Sequence, residues 1–321
     1  MKRAWAAWVA LMDRREPATA LALVRIFAAC ALLGDLIEMR IVGAVHPLFA
    51  VLPDGFARPD TLWGSLFGGG PFGADLLWWA VVIALSLVIA GIATRAAMIL
   101  YICLSLAQAA LAPMSDRGVQ ELMRIVFVIL VLSPSHTRCS VTAWWRARRG
   151  RPYAAEQPAW PRYLLMIQIA WMYGSAGQSK LGTEWGPGEF SALANVLCDP
   201  HIARFPSGWV AHALPLLALA TLVTITFELT GPFYLLWYYF SVTRERPGRV
   251  RRLANKLRIR WLWLGLGVTM HVGIAVTLRL AAFPWGVLAL YPVLLTPGEL
   301  AAVLAYLRKT VAPAKRASSP S

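Results

Sequence analysis

Runs of about 20 apolar residues, separated by short loops that carry most of the charge, recur along this chain. A helix that crosses a bilayer needs about this length, and it must satisfy its own backbone polar groups because lipid cannot. The runs predict an all-α integral membrane protein, a polytopic bundle of about seven or eight transmembrane helices without a soluble domain. The predicted spans are residues 19–37, 76–93, 96–112, 119–132, 163–177, 210–240, 261–280 and 283–295.

The end of the chain decides between seven and eight spans. Residues 283–295 are apolar but short; if they cross, the count is eight and the carboxyl end lies inside. The pattern of residues 296–299, Thr-Pro-Gly-Glu, is typical of a helix start, and apolar residues then recur at helical spacing, as in an interfacial helix. We predict one transmembrane domain over residues 1–310 and a disordered basic tail over 311–321.

Charge patterning gives the orientation. The chain is 58% hydrophobic and 15% charged, with a net charge of +15, which is far from the composition of a soluble domain. No basic domain stands apart from the apolar runs, so nucleic acid is not an expected partner. Instead, the arginines cluster in loops 138–162 and 244–260, which is the positive-inside pattern. This predicts a cytoplasmic amino terminus and places loop 178–209 on the outer side.

Neither the amino terminus nor the cysteines predict processing, metal binding or redox chemistry. The apolar stretch 5–12 is too short for a cleaved signal peptide, and Trp5 and Trp8 predict an interfacial segment. Without a Cys-x-x-Cys spacing, neither a zinc site nor a redox pair is expected. The cysteines are Cys30, Cys103, Cys139 and Cys198.

Ionisable and strongly polar side chains within spans are costly and often functional. Glu121 and Arg124 lie three residues apart on one predicted helix, so we expect them to neutralise each other. Arg25, and Arg279 near the outer end of its span, are expected to extend to the headgroups. The remaining candidates are Gln168, Lys180, Glu228 and His271.

Lys180 is the residue on which chemistry would depend. It follows an apolar run that ends in Gly174-Ser175-Ala176-Gly177, and such small residues let another helix pack close. Two alternatives stay open at this stage. The lysine can anchor the helix end at the interface. It can also be buried, which disfavours the charged ammonium, and a neutral amine is a competent base or nucleophile.

Glu228 and His271 also carry alternatives. Glu228 lies in a long apolar run, one turn before Gly231-Pro232, a pair that interrupts the backbone hydrogen-bond ladder. Its carboxyl can satisfy freed backbone donors, stay protonated or contact a ligand. His271 lies in the middle of its span; a structural, hydrogen-bonded role and a role as ligand or base are both open.

Four segments carry a family pattern in their order and spacing. They are residues 22–27, residues 121–134, Gly174 to Leu181 followed by Trp185 and Gly188, and Met270-His271-Val272-Gly273 followed by Phe283-Pro284 and Pro297-Gly298-Glu299. Together they resemble the HTTM (horizontally transferred transmembrane) family, whose best-known members are the vitamin K-dependent gamma-carboxylases. The lysine segment is the most specific of the four.

The resemblance implies a catalytic role for two residues. In the carboxylases, the lysine that matches Lys180 deprotonates reduced vitamin K; oxygen then converts the quinol to a strong base that removes a gamma proton from glutamate, and carbon dioxide adds. By this resemblance Lys180 is the base and His271 lies beside it. A reduced, vitamin K-like quinone is the implied cofactor, without a metal. The implied substrate or quinone pocket includes Glu228, Gln178 and Trp185.

The chain departs from the carboxylases at two points. It reads Ser115-Asp116-Arg117-Gly118 where they have a histidine, and their large carboxyl-terminal extramembrane domain has no counterpart. Two hypotheses remain: a quinol-using enzyme of the bacterial inner membrane, with its lysine facing outward, or a non-catalytic membrane factor for the maturation or export of a secreted peptide. A transporter is not favoured, since no inverted repeat is visible.

Overall fold

The computed structural model describes residues 5–6, 9–10 and 12–311, and within them the predicted helical bundle is confirmed. Trp8 and residues 312–321 of the predicted tail lie outside the described residues, while Val311, the first residue of that tail, ends a helix. One two-stranded pairing, β1 (Arg15–Glu16) with β2 (Gln157–Pro158), is antiparallel. The helices are α1 (Thr19–Ile41), α2 (Val45–Phe49), α3 (Leu62–Phe67), α4 (Pro71–Ala90), α5 (Thr94–Leu111), α6 (Gly118–Val131), α7 (Val141–Arg148), α8 (Trp160–Ser179), α9 (Ala192–Cys198), α10 (Leu214–Leu229), α11 (Tyr234–Val242), α12 (Arg249–Lys256), α13 (Ile259–Thr277), α14 (Phe283–Leu288) and α15 (Pro297–Val311).

The helices coincide with the predicted spans. Among the described residues, five helical segments are long and apolar enough to cross a membrane: α1, α4, α5, Ser207–Leu229 (which ends in α10) and α13. A sixth is added if the bent pair Phe283–Leu294 and Pro297–Thr310 is one span. The other two predicted spans are helices at the predicted places, but α6 has only 14 residues and α8, with 20, contains too many polar and small residues. The number of spans therefore depends on whether these two helices and the bent pair are counted.

The break predicted in the sixth span is confirmed. Helix α10 ends at Leu229, a 3₁₀ turn covers Gly231–Phe233, and α11 begins at Tyr234. Proline has no backbone N–H, and its ring clashes with the carbonyl of the residue four positions earlier, so Pro232 ends the α-helical hydrogen-bond ladder here.

The Arg25 side chain is fully buried, so the prediction that it reaches the headgroups was wrong. Its Nη1 donates to the Ser135 carbonyl at 2.9 Å and its Nη2 to the Cys139 carbonyl at 2.5 Å. The turn after α6 folds over the guanidinium and supplies these acceptors. These carbonyls provide acceptors for the two terminal nitrogens without a carboxylate, while the buried Nε has no partner among the described residues.

Arg162, only 1% exposed, joins four parts of the chain. Its Nε and Nη2 donate to the two carboxylate oxygens of Glu16 at 2.5 and 3.0 Å, and Nη2 also donates to the Tyr238 hydroxyl at 2.8 Å. Its Nη1 donates to the carbonyls of Val293 and Leu295 at 3.1 and 3.3 Å. Bidentate pairing with a carboxylate is the geometry that a guanidinium favours.

These contacts bring both arginine-rich loops and the amino-terminal strand to one side of the bundle, which we call the basic face (residues 14–25, 134–162, 238–260 and 293–311). Arg260 continues the network there, since it pairs with Glu299 and its Nη1 donates to the Leu294 carbonyl at 3.2 Å. The opposite face holds the pair between Arg117 and Asp35, at 2.6 Å. The common side of the two basic loops agrees with the charge pattern.

Arg124 pairs with Asp116 and not with Glu121, so that sequence prediction was wrong. Its two terminal nitrogens donate to the Asp116 carboxylate at 2.8 and 2.7 Å, and Nη1 also donates to Ser105 at 3.2 Å. Glu121 is exposed. Helical side chains lean toward the amino terminus, and the turn before α6 places Asp116 in the path of the arginine.

The last apolar segment runs back to the basic face. Helix α13 begins beside Arg260 on that face, and the chain returns through α14 and a 3₁₀ turn to Leu294, whose carbonyl Arg260 binds. Helix α15 then leaves at 117°. Its predicted start is confirmed by a capping box, in which Thr296 N donates to Glu299 Oε2 at 2.9 Å and Glu299 N donates to Thr296 Oγ1 at 3.3 Å.

Replacing Arg162 with methionine should lower the free energy of unfolding by about 3–5 kcal/mol, because Glu16 stays buried without its partner. Thermal unfolding in detergent measures the change. Arg151→Met, at an exposed position on the same face, is the matched control and should change stability by less than about 0.5 kcal/mol. Adding Glu16→Gln to Arg162→Met should restore part of the loss; equal melting temperatures for Arg162→Met and Arg151→Met would contradict the role of this network.

Candidate functional site

Helix α8 lies against the break between α10 and α11 because it presents glycine there. A Cβ on Gly177 would lie 2.8 Å from the Leu229 backbone nitrogen, and a Cβ on Gly174 would lie 2.7 Å from Pro232 Cγ. Both distances are shorter than any ordinary van der Waals contact. The predicted close packing at these small residues is therefore confirmed at two of the four positions.

This close approach places Lys180, the residue that follows α8, beside Glu228 on α10. The Lys180 Nζ lies 2.9 and 2.8 Å from the two carboxylate oxygens of Glu228, and 3.4 Å from the Ala176 carbonyl. The Trp185 ring centroid is 5.4 Å from Nζ, within the range of a cation–π contact. We call Lys180 and Glu228 the ion pair.

The ion pair lies at the rim of the bundle. The Lys180 side chain is 27% exposed and the Glu228 side chain 9%. Lys180 is thus neither free in the headgroup region nor sealed in the core. The alternatives stated for Glu228 did not include this partner: its carboxylate binds the Lys180 side chain.

His271, on α13, belongs to a second, deeper group, which we call the tyrosine cluster (Tyr173 of α8, His271, and Tyr291 of the 3₁₀ turn after α14). The Tyr173 hydroxyl lies 2.7 Å from His271 Nε2 and 2.9 Å from the Tyr291 hydroxyl. His271 is 1% exposed, and its Nδ1 has no hydrogen-bond partner among the described residues. A hydroxyl both donates and accepts, so the three groups form a continuous hydrogen-bonded chain.

Aromatic rings enclose the tyrosine cluster. The Tyr173 ring lies 4.8 Å from Phe227 and 5.4 Å from Trp263, and these two rings stack at 4.5 Å. Gly267 makes room for the hydroxyl, since a Cβ there would lie 2.0 Å from the Tyr291 oxygen. The aromatic surroundings keep bulk water from the hydrogen-bonded chain.

The ion pair and the tyrosine cluster are neighbours along two helices. Tyr173 precedes Lys180 by two helical turns, about 10 Å along α8, and Phe227 directly precedes Glu228 on α10. The structure thus brings Lys180 and His271 into one region, although each has a different direct partner. Gln178, a predicted pocket residue, is exposed beside them.

Sequence reasoning missed several polar residues in the bundle. Tyr173 and Tyr291 gave no signal, because a tyrosine in an apolar run looks like any other aromatic residue. Asp35 could have been found, since it is an ionisable residue within the first predicted span. It is buried and accepts two bonds from Arg117 Nη2, at 2.8 and 2.6 Å, and one from Gln120 at 3.1 Å.

The arrangement has the parts for proton transfer. An amine and a carboxylate in contact can exchange one proton, and a phenol between an imidazole and a second phenol can pass a proton along. Among the described residues, no group of three or more histidine, cysteine or acidic side chains is placed to hold a metal ion.

Comparison with known families identifies the chain. Residues 13–245 match the HTTM domain family. The chain belongs to that family. The matched region of this HTTM protein contains Lys180, Trp185 and Glu228 and ends before His271, and the resemblance to the membrane domain of gamma-carboxylases is consistent with the family. Neither the curated proteins nor the solved structures contain a match.

Substituting Gly177 with alanine should destabilise the HTTM protein by about 1–3 kcal/mol, because its methyl group meets the backbone of α10 and not a movable side chain. Gly273→Ala is the matched control: it also lies inside a transmembrane helix, but a Cβ there meets nothing within 4 Å. This control should be neutral or stabilise by up to about 1 kcal/mol. The melting temperatures of the two variants measure the difference, and equal values would show that α8 and α10 do not pack this closely.

Proposed function

We propose that this HTTM protein is a membrane enzyme that uses a reduced quinone, with Lys180 as the base and His271 in the same site. The observation that carries the proposal is the ion pair itself, 2.8 Å between Lys180 Nζ and Glu228 Oε2 at the rim of the bundle. A base must be accessible and must have somewhere to send its proton, and the partly exposed Lys180 with its carboxylate partner meets both requirements.

Glu228 is that proton acceptor. Transfer of one proton from the Lys180 ammonium to the carboxylate turns a charged pair into a neutral amine and a neutral acid. This neutral form is favoured when a ligand displaces water from the rim, because burial disfavours charges. The amine then accepts the proton of a quinol hydroxyl, whose electron pair stays on the oxygen.

An apolar groove beside the site fits the hydrocarbon part of a quinone. It has a volume of about 360 Å³ and lies between α10, α11 and α13, with Phe227, Trp263, Trp237 and Leu266 among its walls. Aromatic and aliphatic walls suit a prenylated ring. Phe227 and Trp263 also enclose Tyr173, so the same two rings line the groove and pack against the tyrosine cluster. When bound, the quinone would supply the redox chemistry.

We also propose an orientation in the membrane, with the ion pair on the outer side. Lys180 lies eighteen residues after Arg162 on one helix, about 27 Å away, so the ion pair is remote from the basic face. If the basic face is cytoplasmic, as the positive-inside rule predicts, the ion pair lies toward the outer side of a bacterial inner membrane. A secreted peptide is then an accessible substrate.

A second candidate is a non-catalytic factor that helps a secreted peptide to mature or leave the cell. The same ion pair favours it, because a salt bridge between Lys180 and Glu228 also holds α8 against α10 with no chemistry at all. This hypothesis requires a protein partner on the outer side, and it does not require an available amine.

Lys180→Met should lower quinol-dependent oxygen uptake by about 10²–10⁴-fold, the range for loss of a general base. The assay uses nanodiscs that contain the variant and reduced menaquinone, with oxygen uptake in empty nanodiscs subtracted. Lys256→Met, a lysine exposed on the basic face, is the matched control and should leave the rate unchanged. Glu228→Gln should also reduce the rate, since the amide cannot take the lysine proton.

Mass spectrometry of extracted lipid decides between the two candidates. Copurifying quinone together with a rate that depends on Lys180 supports the enzyme. If wild-type protein carries no quinone and shows no uptake above empty nanodiscs, the enzyme proposal is wrong. A copurifying protein partner that Lys180→Met retains would then favour the non-catalytic factor.

A further inference from the structure

A large cavity opens on the basic face, far from the ion pair. Its volume is about 740 Å³, and it lies between the short helix α7, the start of α1 and the carboxyl-terminal helix α15. The size is typical of a small-molecule site. Neither the proposed base nor the tyrosine cluster lines it, so the quinone proposal does not use it.

The charged side chains that line this cavity carry a net positive charge. Glu16 and Arg162 line it but neutralise each other through their salt bridge. Arg138 and Arg308 line it as well, and neither makes a salt bridge with any described residue. Two guanidinium charges therefore face the cavity without a carboxylate, which favours an anionic occupant.

The rest of the wall is apolar. Ala20 and Leu23 from α1 face Leu300 and Leu304 from α15 across the cavity, and Trp144 of α7 closes one side. Trp144 is 54% exposed, and the Arg148 guanidinium lies 4.1 Å from its ring centroid. Tryptophan beside arginine is typical of the membrane interface, where the ring sits at headgroup level.

We propose that this cavity binds an anionic glycerophospholipid, with its phosphate between Arg138 and Arg308 and its acyl chains along α1 and α15. The two guanidinium charges select an anion, and the apolar wall formed by α1 and α15 selects an anion that carries a hydrocarbon chain. Basic pockets between helices on the cytoplasmic side are known to take such headgroups. A soluble phosphate would leave the leucine side of the cavity unfilled.

The lipid would connect parts of the fold that contact one another little. Arg138 follows the turn after α6, whereas Arg308 lies in the last turns of α15. A phosphate bound by both guanidiniums bridges the two. Anionic lipid therefore holds α15 against the bundle, and its removal frees that helix.

The test uses nanodiscs of phosphatidylcholine alone or with one third phosphatidylglycerol. Wild-type protein should melt at a higher temperature with phosphatidylglycerol, and amides of α15 should exchange hydrogen more slowly. The double variant Arg138→Gln/Arg308→Gln should lose both effects, and native mass spectrometry should show phosphatidylglycerol retention reduced about fivefold for each arginine removed. Arg249→Gln/Arg252→Gln, which removes two exposed arginines of α12 on the same face, should retain the wild-type response.

Three outcomes would overturn the proposal. One is a wild-type protein that does not respond to phosphatidylglycerol. Another is an equal loss of response in the two double variants, which would show that the charge of the whole face attracts the lipid and not this cavity. The third is full protection of α15 by glycerol phosphate in phosphatidylcholine nanodiscs, which would identify a soluble anion as the occupant.

Discussion

The buried guanidinium of Arg162 is the interaction on which the arrangement of the bundle depends. It joins the amino-terminal strand through Glu16, α11 through Tyr238, and the end of the last apolar segment through two backbone carbonyls. A buried charge costs several kcal/mol unless it is fully bonded. Because its partners range from residue 16 to residue 295, the network is complete only when the whole chain has folded, and this makes the fold cooperative.

Helix α8, which carries Arg162 near its start, also organises the candidate site at its other end. Its glycines allow α10 to approach, and this approach is what brings Glu228 within 2.9 Å of Lys180. Two helical turns deeper, the Tyr173 hydroxyl contacts His271 and Tyr291 in an aromatic enclosure. The water-accessible ion pair and the buried tyrosine cluster thus lie side by side. The ion pair can meet a ligand directly, whereas the tyrosine cluster can only pass protons.

The positions of the helices could be predicted because apolar runs and basic loops are local signals. The break at Pro232 and the helix start at Thr296 were also predictable, since each depends on residues a few positions apart. Polar partners could not be predicted. The carbonyls that bind Arg25 come from residues more than 100 positions away, and a carbonyl oxygen has no sequence signature. Lys180 and Glu228 were both recognised as candidates, but nothing local indicates that residues 48 positions apart meet.

Helix α8 is fixed by an ion pair at each end, Arg162 with Glu16 and Lys180 with Glu228. It is also less apolar than the five helices that meet the spanning criteria, so contacts with protein, and not with lipid, set its position. An ordinary transmembrane helix tilts when the membrane becomes thinner or thicker. Because two ion pairs about 27 Å apart hold α8 at its ends, this helix cannot tilt freely, and we expect the surrounding bilayer to adjust its thickness to the protein.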